Sequence, residues 1–183
     1  MKKWSICIIV CLGIGLLAGC SRPAKEAKLD FFEPDYLIAP KQPGYGLLQG
    51  IYPQPAGEYR AQLNYGATHH CILSIYWQER PEIYWVPGLD DVTGLFWAPD
   101  GRYLYVTSSC IYGIGGVWRL DLPSKKKESI FAVKDPNNAL AQLVSADWEK
   151  RTIKFYFTPQ VDETDFLTFW KDEKNIVTLK LPE

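Results

Sequence analysis

The clearest prediction of the fold comes from residues 94–107, which are Gly94-Leu95-Phe96-Trp97-Ala98-Pro99-Asp100-Gly101-Arg102-Tyr103-Leu104-Tyr105-Val106-Thr107. Apolar, aromatic and β-branched residues flank Pro99-Asp100-Gly101, which predicts two strands joined by a tight turn. In such a hairpin Gly101 supplies a positive φ that residues with a Cβ rarely adopt. Trp97, Leu104 and Val106 are predicted to pack between sheets. The stretch therefore predicts an antiparallel hairpin with one face in a hydrophobic core.

The same hairpin is similar to a repeat found in a known family. Trp97-Ala98-Pro99-Asp100-Gly101 closely resembles the tryptophan-serine-proline-aspartate-glycine motif of the propeller repeats in the bacterial Tol-Pal system's periplasmic propeller, with alanine in place of serine. Val117 to Leu122 resembles the outer strand of the same blade. Degenerate copies run from Val144 to Leu181 and, more faintly, from Tyr59 to Val86. The resemblance implies antiparallel, blade-like sheets.

The length of the chain limits how far this resemblance extends. Residues 45–183 make a domain of about 140 residues, and a blade takes about 40 to 45, so about three blades fit where a closed ring usually has at least four. We expect an all-β fold of antiparallel, blade-like sheets. Three architectures stay open, in this order: a compact stack or sandwich, a small propeller of abbreviated blades, and an incomplete, open array whose edges meet another protein.

Other parts of the chain also predict strands and turns. Lys125 to Glu128 predicts a solvated turn, and Ala139 to Val144 is the one segment that suits a turn of helix. Runs with period two, or rich in β-branched and aromatic residues, predict strands at Tyr59 to Tyr65, Cys71 to Trp77, Glu82 to Val86, Val92 to Trp97, Arg102 to Ser108, Gly116 to Leu122, Leu143 to Trp148, Thr152 to Thr158 and Asn175 to Leu181.

The N-terminus predicts a secretory leader. Lys2 and Lys3 precede an uncharged apolar stretch, Ile6 to Leu17, which is shorter than the roughly 20 residues of a membrane-spanning helix. Leu17-Ala18-Gly19-Cys20 resembles the lipobox of bacterial lipoproteins, which implies that the Cys20 thiol receives diacylglycerol, with acyl chains such as palmitate, and that the peptide is cut immediately before Cys20. The alternative is an ordinary cysteine after a conventional cleavage site. Several acyl chains on one cysteine would anchor the protein durably to a membrane.

Three segments follow from this leader. Residues 1–19 are the predicted lipoprotein signal peptide, residues 20–44 a proline-containing, lipidated tether, and residues 45–183 the all-β, propeller-like domain. The aromatic group beginning at Phe31 and Phe32 offers a way for the tether to dock onto the domain. The expected location is the cell envelope, on a membrane. Ser21, at the position where aspartate commonly retains lipoproteins at the inner membrane, resembles the outer-membrane class if the source has two membranes.

Charge and cysteine content restrict the partners and the covalent links. The chain has 20 basic and 21 acidic residues and a net charge of -1, without the basic excess that nucleic-acid binding needs. We therefore expect no nucleic-acid partner. After removal of the leader and lipidation of Cys20, the remaining cysteines are Cys71 and Cys110. They form either a disulfide or two separately buried thiols.

The sequence lacks the common signatures of catalysis. It has no nucleophile elbow, no H-E-x-x-H pair and no P-loop. The two histidines, His69 and His70, are adjacent, and neighbouring residues on a strand point to opposite faces, so we expect no metal site and no cofactor. Most aromatic side chains are expected in the core. Four tyrosines are expected to be exposed, because they lie on the strand faces opposite aliphatic residues: Tyr84, Tyr103, Tyr105 and Tyr156.

The sequence leads to two hypotheses about function. The first is a non-catalytic, lipid-anchored envelope protein whose blade-like domain binds another envelope protein, because repeats of this kind present large rigid surfaces. The second is a lipoprotein that binds or hydrolyses carbohydrate or cell-wall material. Aromatic side chains and carboxylates clustered around one concave pocket would favour the second hypothesis, and their dispersal would not.

Overall fold

The computed structural model describes residues 29–39, 47–65, 71–78, 80, 84–86, 89, 91–109, 114–135, 139–158 and 173–183. These residues form strands and one short 3-10 helix, Glu173–Asn175, and include no helix long and apolar enough to cross a membrane. The strands are β1 Asp30–Phe31, β2 Leu37–Ile38, β3 Gly50–Pro53, β4 Tyr59–Tyr65, β5 Cys71–Trp77, β6 Tyr84–Val86, β7 Val92–Trp97, β8 Tyr103–Ser108, β9 Gly116–Asp121, β10 Lys126–Ser129, β11 Leu140–Asp147, β12 Thr152–Thr158 and β13 Ile176–Lys180.

The strands form three sheets. The first sheet has the order β1-β3-β4-β5-β6, the middle sheet β10-β9-β8-β7-β2, and the third sheet β11-β12-β13. All strand pairs are antiparallel except β1 with β3. The predicted all-β class is confirmed, and within the described residues none of the sheets closes into a barrel. The resemblance to propeller repeats stays a prediction.

Backbone hydrogen bonds show that the three sheets repeat one pattern. In the first two sheets a backbone hydrogen bond closes the first hairpin, and four residues lie between its donor and its acceptor. Gln54 N donates to Tyr59 O, and Ala98 N donates to Tyr103 O, each at 2.9 Å. In the third sheet the pair Asp147–Thr152 closes a loop of the same length. Gln54 and Ala98, the first two positions in this series, are 44 residues apart.

The end of the third strand in each repeat returns to the same loop. Gln78 N donates to Glu58 O at 2.5 Å, Leu122 N to Arg102 O at 2.9 Å, and Leu181 N to Arg151 O at 2.7 Å. The three acceptors occupy the last position of the three hairpin loops. We call the end of the stack that carries these loops the hairpin end.

The middle sheet is buried on both faces, so the fold is a stack of three layers. One core cluster joins the first sheet to the middle sheet and contains Leu63, Leu73, Trp97, Leu104 and Val106 among others. A second cluster joins the middle sheet to the third and includes Phe96, Tyr105, Leu143, Ile153 and Phe155. All six residues of β7 are buried as a result.

Glycines allow the third sheet to approach the middle sheet closely. A Cβ at Gly94 would lie 2.3 Å from the Leu143 Cβ, and a Cβ at Gly115 would lie 1.7 Å from the Ala139 carbonyl oxygen. Both distances are far below a normal contact. In the same region Leu143 N donates to Thr107 Oγ1 at 3.2 Å, which satisfies part of the edge of β11.

Part of the predicted tether is paired with both larger sheets. β1 lies beside β3, and β2 lies beside β7. Between them, Phe32 stacks on Tyr52 with 4.6 Å between ring centroids, and the Tyr36 carbonyl accepts a 2.8 Å hydrogen bond from Trp97 N. Residues 29–39 therefore cover one edge of the first sheet and one edge of the middle sheet. This agrees with the docking onto the domain that the aromatic residues of this segment offered.

Two local predictions were wrong. The segment compatible with a helical turn, Ala139 to Val144, begins β11, because its buried side chains pack between strands. The predicted turn at Lys125 to Glu128 contains most of β10, which pairs with β9 at the edge of the middle sheet. Its lysines are typical of edge strands, where charge discourages pairing with another chain.

Candidate functional site

An open groove lies at the hairpin end, between the middle and third sheets. Its volume is about 470 Å³, within the usual range for ligand sites. Its walls combine aromatic, acidic and basic side chains: Asp100, Tyr103, Tyr105, Trp148, Glu149, Arg151 and Glu183. The groove therefore brings together residues of two repeats that are far apart in the sequence.

The middle sheet contributes the wall formed by its first hairpin. Pro99 and Asp100 are exposed, and Asp100 Oδ1 accepts a 2.9 Å hydrogen bond from Arg102 N. Gly101 has a φ of +72° and donates its N–H to Ala98 O at 3.0 Å. Trp97, at the end of β7, is completely buried. Of the four predicted turn and core residues, Asp100 lines the groove, Pro99 and Gly101 belong to the same turn, and Trp97 packs in the core between the first and middle sheets.

The loop between β11 and β12 forms the opposite wall. Asp147 accepts hydrogen bonds from Lys150 N at 2.9 Å and from Lys150 Nζ at 2.6 Å, and the bonds from Lys150 lower the pKa of the Asp147 carboxyl group. Arg151 has a φ of +51°, and its guanidinium donates to the Pro182 carbonyl. Arg151 Nε is buried without a hydrogen-bond partner among the described residues. This loop presents Trp148 and Glu149 to the groove.

A chain of aromatic rings connects the two walls. Tyr103 and Tyr105 have centroids 6.3 Å apart, Tyr105 and Phe96 6.0 Å, and Phe96 and Trp148 5.8 Å. Trp148 meets Phe96 edge to face, the favourable arrangement for two rings. The groove floor is therefore continuous with the core between the middle and third sheets.

Tyr105 is not exposed as predicted: only 2% of it is accessible. Alternation along β8 correctly separates it from Leu104 and Val106, but the third sheet covers the face to which it points. Burial raises the pKa of the Tyr105 hydroxyl, and the nearby Arg119 opposes this shift only partly. Tyr103 and Tyr156 are partly exposed, and the side chain of Tyr84 lies outside the described part.

Two arginines cover the ring of Tyr103. The guanidinium carbons of Arg119 and Arg102 lie 4.8 Å and 5.0 Å from its centroid, within cation–π distance. Arg119 is also paired with Glu128 at 2.6 Å, and Arg102 with Asp121 at 3.3 Å. These exposed or partly exposed pairs fix the orientation of the guanidinium groups more than they stabilise the fold.

The pKa of Asp121 reflects opposing causes. Desolvation by itself would raise it, but hydrogen bonding and the charge of Arg102 have the larger combined effect, so the pKa of this carboxyl group is lowered. Asp121 therefore keeps its charge beside the arginines at neutral pH.

The corresponding space between the first and middle sheets is filled. Gln54, which occupies the same repeat position as Ala98, is 3% exposed and donates from Nε2 to the Ala98 carbonyl at 3.0 Å. A Cβ added at Gly101 would lie 3.6 Å from the same nitrogen. The open groove is therefore a particular feature of the junction between the middle and third sheets, and sheet stacking alone does not create it.

Several residues singled out in the sequence lie outside the described part of the chain: Cys20, His69, His70 and Cys110. Cys71 begins β5 and pairs with Tyr65, but its side chain also lies outside that part. Lipidation at Cys20 and a bridge between Cys71 and Cys110 stay predictions. Among the described residues, no group of histidine, cysteine, aspartate or glutamate is placed to hold a metal ion.

Sequence reasoning did not identify the wall made by Trp148, Glu149 and Arg151 as part of a site. The signal was present, because these residues occupy the turn of the third repeat, as Pro99 to Arg102 occupy the turn of the second. Corresponding turns of adjacent, stacked repeats lie side by side. Joint inspection of the two turns would have predicted a shared surface there.

No family model matches the chain, and neither the curated proteins nor the solved structures include a significant match.

Proposed function

We propose that this chain is a non-catalytic, lipid-anchored protein of the cell envelope that binds another envelope protein through the groove at the hairpin end. The predicted lipobox at Leu17 to Cys20 supports the location. The composition of the groove supports the binding role, because tyrosine, tryptophan and arginine are the residues most enriched at the energetic centres of protein interfaces. This composition is the observation that carries the proposal.

The state of the rings favours a protein ligand over a sugar. A sugar stacks on an open aromatic face, but the ring of Tyr103 already carries two guanidinium groups and Tyr105 is buried. Trp148 is left as the main aromatic surface, surrounded by charges of both signs. A protein partner with complementary charges matches such a surface, since interfaces combine a central aromatic anchor with a polar rim.

The second candidate is binding of carbohydrate or cell-wall material. One observation favours it: three aromatic residues and the carboxylates of Asp100, Glu149 and Glu183 surround one concave site. Carboxylates of this kind bind sugar hydroxyl groups, and an exposed tryptophan can stack on the ring. Because aromatic residues and carboxylates cluster around one groove, the experiment must detect both a bound protein and a bound saccharide.

Site-specific crosslinking in intact cells distinguishes these candidates. A photoreactive residue at Glu149, which is exposed at the groove, should form a protein adduct that is absent when the probe is at Lys154, exposed on another part of the third sheet. Trp148→Ala should remove the adduct while circular dichroism shows an intact fold. A saccharide adduct from position 149 would support the second candidate. Equal adducts from both positions would contradict a binding role for the groove.

The anchor is tested by Cys20→Ala. Because the thiol of Cys20 is the only proposed attachment point, this variant should lose both fatty-acid labelling and membrane retention, which labelling with a radioactive acyl chain and cell fractionation measure. Cys71→Ala is the matched control and should keep both. Continued labelling of the Cys20→Ala variant would contradict the lipoprotein assignment.

A further inference from the structure

Exposed apolar side chains are concentrated on or beside the first sheet. Four large hydrophobic residues are exposed in the described part of the chain: Phe31 at 67%, Leu48 at 66%, Ile72 at 41% and Val144 at 37%. Val144 lies on the third sheet, and the other three lie on or beside the first. We call Phe31, Leu48 and Ile72 the apolar rim.

Strand register places the members of the apolar rim at nearly the same level. Phe31 is opposite Ile51 in β3, and Leu48 precedes Gly50 by two residues. Gly50 pairs with Leu63, while Ile72 pairs with the next residue, Asn64. The three side chains therefore fall within three residues of one another along the strand direction, or about 10 Å.

The chain from the proposed lipid anchor enters the fold at this same end. β1 and β3 form the parallel pair of the fold, so both strands start at the end that carries the apolar rim. Only nine residues lead from Cys20 to Leu29. They span at most about 32 Å when fully extended. The rim is therefore held close to the lipid surface.

The short connection makes lipid a favoured occupant of the rim. Residues 21–28 include three basic side chains and one acidic side chain, so the connection is attracted to anionic headgroups. A tether of this length also gives the rim a high effective concentration at the membrane surface. A partner that is free in solution has a lower effective concentration at the rim. Transfer of exposed phenylalanine and leucine side chains from water into the interfacial region of a bilayer is favourable.

We propose that the apolar rim inserts into the surface of the membrane that holds the Cys20 lipid, and so fixes the orientation of the domain. This inference rests on the lipid anchor of the proposed function. It has a structural consequence, because the rim belongs to the first sheet, whereas the groove lies between the middle and third sheets at the hairpin end. Six residues separate Leu48 from Gln54 at the hairpin end, which corresponds to about 20 Å. The groove then faces away from the membrane, toward a partner in the surrounding compartment.

Lipid crosslinking of the full-length, lipidated protein tests this orientation. The protein is reconstituted in vesicles of phosphatidylethanolamine and phosphatidylglycerol, with a benzophenone-bearing residue at position 48, 72 or 144. Positions 48 and 72 should form lipid adducts, and position 144, an apolar control with an exposure close to that of Ile72, should form them only at background level. In the same samples, mass spectrometry determines whether Cys20 carries lipid.

A substitution in the apolar rim tests whether its members act together. With the probe at position 48, Phe31→Ser should lower the ratio of docked to undocked domain by about tenfold, because an exposed phenylalanine no longer enters the lipid. Val144→Ser is the matched control and should leave the ratio unchanged.

The outcomes separate the inference from the proposed function. Lipid-modified Cys20 with equal adducts from positions 48 and 144 would overturn membrane docking of the rim while leaving the lipid anchor intact. Adducts between two copies of the chain instead of lipid adducts would also overturn it, in favour of self-association. Unmodified Cys20 in protein purified from its native cells would overturn the lipid anchor and the orientation together.

Discussion

Single residues in the hairpin loops connect neighbouring sheets. Gln54 bonds the first hairpin loop to the Ala98 carbonyl, and Gly101 lies against the same amide group. Gly101 also has the positive φ that closes the turn, and Trp97 beside it is fully buried. Local turn geometry and contacts between sheets therefore depend on the same few positions.

Substitutions in this hairpin should be costly. Gly101→Val should destabilise the domain by more than about 1 kcal/mol, because a β-branched residue is strongly disfavoured at a φ of +72°. Trp97→Ala should destabilise it by about 3 to 5 kcal/mol, the usual effect of removing a fully buried aromatic side chain. Denaturant melts measure both effects.

Lys126→Ala is the control for these two variants. Lys126 is exposed on the edge strand β10, and its replacement should change the free energy of unfolding by no more than about 0.5 kcal/mol. If the three variants had equal stability, the structural role of the hairpin would be refuted.

Among the elements, the segment of residues 29–39 contributes little regular structure but contacts both core clusters. Its two strands have only two residues each, yet Phe32, Tyr36 and Ile38 pack on one core cluster and Leu37 on the other. The segment protects the edges of two sheets, which would otherwise offer unpaired backbone groups to other chains. It also determines where the chain from Cys20 leaves the fold.

Removal of this segment should weaken the domain. A chain that begins at Tyr45 should be less stable than one that begins at Leu29 by about 3 kcal/mol or more, since each of four partly buried side chains contributes roughly 1 kcal/mol. Denaturant melts and size-exclusion chromatography measure the stability and any association through the exposed edges.

The matched control for this truncation is Phe31→Ser in the longer chain. Phe31 is mostly exposed in the same segment, so its replacement should alter stability by less than about 0.5 kcal/mol. Equal stability of the two chain lengths would show that residues 29–39 contribute nothing to the fold.

At the scale of the whole molecule, three layers with separate core clusters create two distinct ends. The hairpin end carries the groove, and at the opposite end Leu48 and Ile72 of the apolar rim lie on or beside the first sheet. Cys71 begins β5 at the rim end, and Ser109, the neighbour of Cys110, follows β8 in the middle sheet. A bridge between these cysteines would connect the first two layers at the end opposite the hairpins.

Thiol counting decides whether this bridge exists. If the bridge forms, alkylation under denaturing and non-reducing conditions of protein isolated from its native compartment should detect neither Cys71 nor Cys110. The bridge would close a loop of about 40 residues and stabilise the fold by roughly 4 kcal/mol through restriction of the unfolded chain. Two alkylated thiols would establish the alternative, two separate free cysteines.

Local patterns in the sequence predicted most of the longer strands, but not β1, β2, β3 or β10. Alternation identified β4 and β5, a high content of β-branched and aromatic residues identified β7 and β12, and the Pro99-Asp100-Gly101 turn identified a hairpin. These features depend on the two faces of a strand and on the φ angle of single residues. Both properties act over a few neighbouring residues, so they are visible without the rest of the molecule.

Sequence patterns thus predicted an all-β fold made of repeated antiparallel hairpins. The contacts of each face of those hairpins become visible only in the tertiary structure. Alternation put Tyr105 opposite Leu104, but only the third sheet made both faces of β8 buried. Likewise, only stacking brought Trp148 and Arg151 to Tyr103, and only the parallel pairing of β1 with β3 placed Phe31 near Leu48. The physical reason is that burial and site formation arise from contacts between segments distant in sequence, which local periodicity does not encode.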